Sequence, residues 1–138
     1  MIEHSGDTRF DYRLHDGSAP ARIQWHFFER SQLPVAVQTW ELPPGGSEGA
    51  HAHPPEDPLE ELYLVIEGTA VMHLDGERFE LGPGDALLAP VGSEHDLHNP
   101  GHTPLKVVVI WGKPATMDWS GYGTAKAARA ARARGGLR

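Results

Sequence analysis

Between Arg22 and Gly112 the chain repeats one pattern, a short run of β-branched and aromatic residues followed by a turn, with no intervening helical periodicity. The runs ARIQWHFFER, PVAVQTWEL, ELYLVIEG and TAVMHL come first, and ERFEL, DALLAP, EHDLHNP and PLKVVVIWG follow, separated by GPG, VGS and NPGHT. Such runs suit pleated, half-buried strands. Asp75 and Gly76, flanked by Leu74 and Glu77, form a two-residue hairpin signal. Eight or nine short strands at this spacing predict an all-β fold, an antiparallel sandwich or barrel.

Composition agrees with many turns: Gly 16 and Pro 12 together make about a fifth of the 138 residues. The length is that of one domain. With no cysteine in the chain, disulfides and thiolate chemistry are excluded, and any metal must be held by nitrogen and oxygen. Residues 124–138 carry five basic and no acidic side chains, so the formal charge of -7 leaves seven basic against 19 acidic residues, or -12, on the rest. So acidic a body makes a poor nucleic-acid surface. The polar N-terminal stretch lacks the apolar run of a signal peptide, and no membrane-spanning run appears, so a soluble cytoplasmic protein is expected.

Three segments follow from this pattern: a polar N-terminal arm at 1–20, the β domain at 21–113, and a C-terminal extension at 114–138, partly helical or disordered. The arm is expected to be either loose or exchanged onto a neighbouring subunit. In the extension, TAKAARAARAR has helix propensity but no apolar stripe, and so nothing to dock by burial.

Six of the nine histidines lie between positions 51 and 102. His51 and His53 are two apart, which on a strand puts both imidazoles on one face, where they can chelate. The stretch that follows, PPEDPLE, brings Glu56, Asp57 and Glu60 close to Glu61 as candidate carboxylate ligands. Alternation sets Glu61, Tyr63 and Val65 on one face and Glu60, Leu62, Leu64 and Ile66 on the other. It likewise groups His95 with Leu97 and Asn99, and turns Asp96 and His98 away. Asp85, Asp96, His98 and His102 read as turn and surface residues. His73 in TAVMHL and His26 are further candidates for the site. Only one of Trp25 and His26 can face inward, and Trp25, Gln38 and Trp40 are candidate cavity walls.

Around these residues the spacing resembles two motifs of the cupin family. Gly45, His51, His53, Glu61 and Gly68 follow G-x5-HxH-x3,4-E-x6-G, except that seven residues separate His53 from Glu61. Gly84, Pro90, Gly92, His95 and Asn99 follow G-x5-PxG-x2-H-x3-N at every position. The resemblance covers residues 40–112 and implies a double-stranded β-helix, or jelly-roll barrel. It also implies one divalent transition metal, Fe, Zn, Mn, Ni, Cu or Co, held by His51, His53, Glu61 and His95.

Three imidazoles and one carboxylate make a borderline donor set, and four protein ligands leave positions open on a six-coordinate ion. Open positions suit a small oxygenated substrate, apolar or aromatic given the Trp, Tyr and aliphatic strands. Dioxygenase-type oxidation is slightly favoured. The alternatives are Lewis-acid isomerase, lyase or polyketide-cyclase chemistry with Zn or Mn, and a non-catalytic small-ligand-binding protein. Glu61 and Tyr63 are the candidate catalytic residues. The expected partners are a small-molecule substrate and a second copy in a homodimer, with no nucleic acid and no membrane.

Overall fold

Alternation decides which side chains meet in the interior. In the computed structural model, which describes residues 1–136, the strands are β1 Phe10–Tyr12, β2 Ala21–Trp25, β3 Ala36–Leu42, β4 Ser47–His51, β5 Glu60–Glu67, β6 Ala70–Leu74, β7 Glu77–Leu81, β8 Ala86–Ala89, β9 His95–His98 and β10 Leu105–Gly112. They form two antiparallel sheets, one ordered β1-β2-β3-β10-β5-β8 and the other β4-β9-β6-β7. The strand pattern predicts an antiparallel sandwich or barrel, and the arrangement is the jelly roll that the resemblance implies. Trp40 and Leu42 of β3, Tyr63 and Val65 of β5, Leu105, Val107 and Val109 of β10, Met72 of β6 and Leu97 of β9 pack together between the sheets. Each large apolar side chain removed from water in this way contributes about 1.5–3 kcal/mol before conformational entropy is set against it.

The hairpin signal sits where expected. Asp75 and Gly76 both have positive φ, 49° and 84°, and join β6 to β7, as a turn matching the right-handed twist of its strands requires.

Residues 1–20 lie against their own barrel. Phe10–Tyr12 pairs antiparallel with β2, which extends the larger sheet by one strand. Further along, a 3-10 turn at Leu14–Asp16 forms a strap over β4. His15 at its centre has φ +47°, and the strap sits so close to Gly49 that a Cβ there would come 1.7 Å from the His15 carbonyl oxygen. Ser18 secures the end of the strap, its hydroxyl donating to the Gly45 carbonyl at 2.7 Å and its amide to Ser47 Oγ at 2.9 Å. In the C-terminal extension, Gly123–Ala133 forms α1, none of whose residues is buried. No helix among the described residues is long and apolar enough to cross a membrane.

The close approach at Gly49 gives a direct test of the strap. Gly49→Ala should lower stability by about 1–3 kcal/mol through overpacking, read as a lower urea midpoint with an unchanged slope.

Candidate metal centre

Both sheets contribute to one cluster. β4 carries His51 at its end, the segment just after it carries His53, β9 opens with His95, and β5 of the opposite sheet carries Glu61. His51 and His95 are direct cross-strand partners. The two motif segments are also tied together, because the Gly92 amide donates to the His53 carbonyl at 3.0 Å.

Glu61 is the carboxylate of the cluster. Its Oε1 contacts His53 Nε2 and lies 3.7 Å from Nε2 of both His51 and His95. One donor atom from each of the four residues lies within 4.8 Å of all the others. Glu60 is exposed on the other face, as alternation along β5 requires. Among the described residues, neither Glu56 nor Asp57 belongs to such a cluster.

The donor set fits a dication. His51 Nδ1–H donates to the Gly49 carbonyl at 2.8 Å, and His95 Nδ1–H donates to the Ser93 carbonyl at 3.0 Å. In a neutral ring these bonds leave the lone pair on Nε2, the atom that faces Glu61. Both Nε2 atoms are buried without any hydrogen-bond partner. An unmet buried polar atom costs about 1–3 kcal/mol, and an ion at the centre of the cluster would meet two at once. Donors each about 2.1 Å from one ion stand roughly 3–3.5 Å apart, close to the 3.7 Å between Glu61 Oε1 and Nε2 of His51 and of His95.

Behind the cluster lies a buried row of acids. The Tyr63 hydroxyl is 2.7 Å from Glu61 Oε2 and 2.7 Å from Glu48 Oε1. A phenol has one hydrogen to donate, so the second contact needs a proton on Glu48. Burial, reinforced by the charge of Glu61, pushes the Glu48 carboxyl up to about 8, so at neutral pH it is largely an acid that donates to Tyr63, which donates in turn to Glu61. Burial alone would also raise Glu61. His51, His95 and the Tyr63 hydroxyl outweigh it and hold Glu61 well below the usual carboxylate range. Burial and the two carboxylates push Tyr63 far up, so it stays protonated. Fully buried, Tyr63 touches Glu61 and does not line the cavity, which makes it a positioning residue.

A cavity of about 300 Å³ opens beside the cluster and includes His53 and Glu61 in its lining. Trp25, Trp40, Trp111 and Leu59 line it, and none of its lining residues is Lys or Arg. Trp111 reaches this position because it pairs directly with Glu61 across β10 and β5. Of the Trp25 and His26 pair, Trp25 lines the cavity. His26 turns away to Thr39 Oγ1 at 2.7 Å and Glu3 Oε1 at 3.3 Å. His73 lies with Asp96 on the outer face of the smaller sheet and does not join the cluster.

Two residues at this site escape the sequence reading. Glu48 should face outward by alternation counted back from His51. A register shift between Glu48 and His51 lets three steps on β4 oppose two on β9, and the extra residue turns Glu48 inward opposite Leu97. His15 arrives on the strap and stacks on His51 with ring centroids 3.5 Å apart and planes within 9°. Burial and the neighbouring His51 lower its pKa, so it is neutral. Nothing in the run Leu14, His15, Asp16 signals this placement beyond a turn.

An inward three-histidine, one-carboxylate cluster in a small antiparallel jelly roll defines a class of barrel built around a metal-competent centre. Residues 38–111 match the family described as the cupin domain, and the chain belongs to the cupin family. It is 33% identical over 69 residues to an oxalate-binding protein of Thermotoga maritima, covering 50% of this chain and 54% of that one. It is 41% identical over 68 residues to the tetracenomycin polyketide synthase protein TcmJ of Streptomyces glaucescens, covering 49% of this chain and 44% of that one. The chain thus spans about half the length of these curated relatives. A crystal structure described as a predicted oxalate decarboxylase from Thermotoga maritima shares the fold with a TM-score of 0.73 at 22% identity, over 83% of this chain and all of that one. A cupin barrel protein from Salinispora arenicola does so with a TM-score of 0.66 at 23% identity, over 82% of this chain and 89% of that one.

The acid row has a signed consequence for stability in metal-free protein. Because the folded Glu48 carboxyl is raised from 4.5 to about 8, its contribution is complete below pH 4.5 and is lost as pH rises toward 8. The urea midpoint of the wild type should therefore fall across that window relative to Glu48→Gln, whose amide can still donate to Tyr63. Parallel profiles for the two proteins would contradict a protonated Glu48.

Proposed function

We propose that the protein is a metal-dependent enzyme acting on a small oxygenated molecule of apolar or aromatic character, by proton transfer and not by oxidation with dioxygen. The observation that carries this reading is the cavity itself: tryptophan-lined and free of cationic side chains, it brings the four-donor cluster together with a neutral histidine and a buried acid, His15 and Glu48. Oxidation, which the sequence slightly favours, does not require such an acid and base pair, whereas enolisation does.

The absence of Lys and Arg from the lining argues against a dianion such as oxalate and against a phosphorylated substrate. A neutral aromatic ketone or diketone fits better, in keeping with the similarity to a polyketide synthase protein. A dication bound by His51, His53, Glu61 and His95 would supply a Lewis acid for a carbonyl and so favour loss of the neighbouring C–H proton.

The chain's own residues do the rest. Trp25, Trp40 and Trp111 bury the apolar body of the substrate and exclude water. His15 accepts the proton from the activated carbon. Glu48, which also lines the cavity, supplies a proton where the product requires one. Tyr63 holds Glu61 Oε2, which keeps Oε1 aimed at the three imidazoles.

The test is deuterium exchange in D2O at the acidic carbon of a β-diketone and of an ortho-hydroxyaryl ketone, with oxygen uptake recorded in parallel. Zinc- or manganese-reconstituted protein should catalyse exchange, and His15→Gln should slow it by about 100-fold or more. Oxygen uptake by iron-reconstituted protein without exchange would replace this reading with the dioxygenase. Tight probe binding with neither reaction would replace it with a ligand-binding protein.

A further inference from the structure

The outer face of the smaller sheet carries a second group of metal-ligating side chains, on the same strand as His95 but pointing the opposite way. Along β9, His95 and Leu97 face the interior, so Asp96 and His98 face out, and His73 of the neighbouring β6 faces out beside them. Asp96 Oδ1 accepts the His73 amide at 2.8 Å and the His73 Nδ1–H at 3.0 Å, while Oδ2 lies 3.1 Å from His98 Nε2. The two rings stand 5.9 Å apart and nearly perpendicular at 86°. One donor atom from each of the three residues lies within 4.8 Å of the other two.

The geometry points to a second divalent metal site here, formed by His73, Asp96 and His98, for a borderline cation of the zinc, copper or nickel kind. Two imidazole nitrogens and one carboxylate are the wrong donors for calcium or magnesium, which take oxygen cages. Two ligands at alternate positions of one strand and a third across the ladder are held by the sheet itself, so binding orders little that is loose.

Asp96 is the anchor. Its side chain is 14% exposed, against 42% and 45% for His73 and His98, so the carboxylate sits beneath two rings whose outer edges are open to water. Burial works against its charge, but the His73 amide and the two rings more than compensate and keep it ionised. Arg78, the β7 partner of His73, has its guanidinium 3.8 Å from Glu80, which partly offsets its positive charge.

Binding needs no net loss of protons from neutral rings. The proton on each nitrogen facing Asp96 moves to the other ring nitrogen, on the solvent side, and a lone pair then faces the ion. Three protein ligands leave the remaining positions to water, as in an open zinc site. The site is independent of the proposed reaction and of the barrel cluster, with which it shares only β9.

The experiment is equilibrium dialysis of zinc against tag-free, chelator-stripped protein. Wild type should hold two equivalents, and His51→Ala with His95→Ala should retain one. His73→Ala with His98→Ala should also retain one, and Asp96→Asn should lose the outer equivalent while keeping the shape of the side chain. If the barrel centre alone fails to bind, the outer equivalent survives and is still removed by the His73 and His98 changes. A His73 and His98 variant that binds as much zinc as wild type would overturn the inference. So would a folded barrel-site variant that binds none. Should the barrel-site variant not fold, the outer-site variants, whose changed rings are half exposed, decide the question by themselves.

Discussion

The interior of this jelly roll holds an ionised carboxylate, Glu61, and much of the surrounding arrangement follows from the need to stabilise it. A buried charge without partners costs far more than a domain of this size can absorb, so the charge must be met on every side. Tyr63 meets one oxygen, and His53, with His51 and His95 close behind, meets the other. Burial, reinforced by the negative charge of Glu61, holds its neighbour Glu48 protonated. The same field that disfavours a second carboxylate would favour a cation at the point where two Nε2 atoms have nothing else to bond.

This arrangement depends on the two sheets meeting in register. Glu61 belongs to the six-stranded sheet, His51 and His95 to the four-stranded sheet and His53 to the segment just after β4, so the centre also acts as a brace between layers. The irregularity in β4 does two things at once: it keeps His51 opposite His95 and it brings Glu48 inside. The N-terminal strap then closes over the same strand, and it can do so only because residue 49 has no side chain to obstruct it. Fold, centre and cavity wall therefore converge on five residues of one strand. A change in that strand should disturb all three together.

How much of this was legible in the sequence depends on how regular each strand is. β5 pairs with β10 and β8, without a register shift from residue 60 to residue 65, so counting by twos separates buried Glu61, Tyr63 and Val65 from Glu60. The four-residue β9 behaves likewise and separates His95 from Asp96 and His98. Counting fails at β4, because an extra residue in one strand reverses parity and leaves no mark in composition. It has no purchase at all on His15, whose position is set by a turn packing against a distant glycine. Asp96 and His98, read as surface residues, do face outward, but their company with His73 depends on which strands are neighbours, a matter of topology that periodicity does not carry. The long PPEDPLE segment, which offers Glu56, Asp57 and Glu60 as alternative carboxylates, instead contributes Leu59 to the cavity wall and leaves Glu56 and Asp57 exposed.

Cupins reuse one scaffold for many reactions, so membership of the family constrains the chemistry less than the site does. The central claim is that His51, His53, Glu61 and His95 together bind one dication. The most direct test is a crystal structure of tag-free protein grown with zinc, using anomalous scattering at the zinc edge. The account predicts a peak between the Nε2 atoms of His51, His53 and His95 and the Oε1 of Glu61, with Glu60 turned to solvent. A fully occupied peak elsewhere with none at this position, or one ligated by Glu60 in place of Glu61, would contradict it.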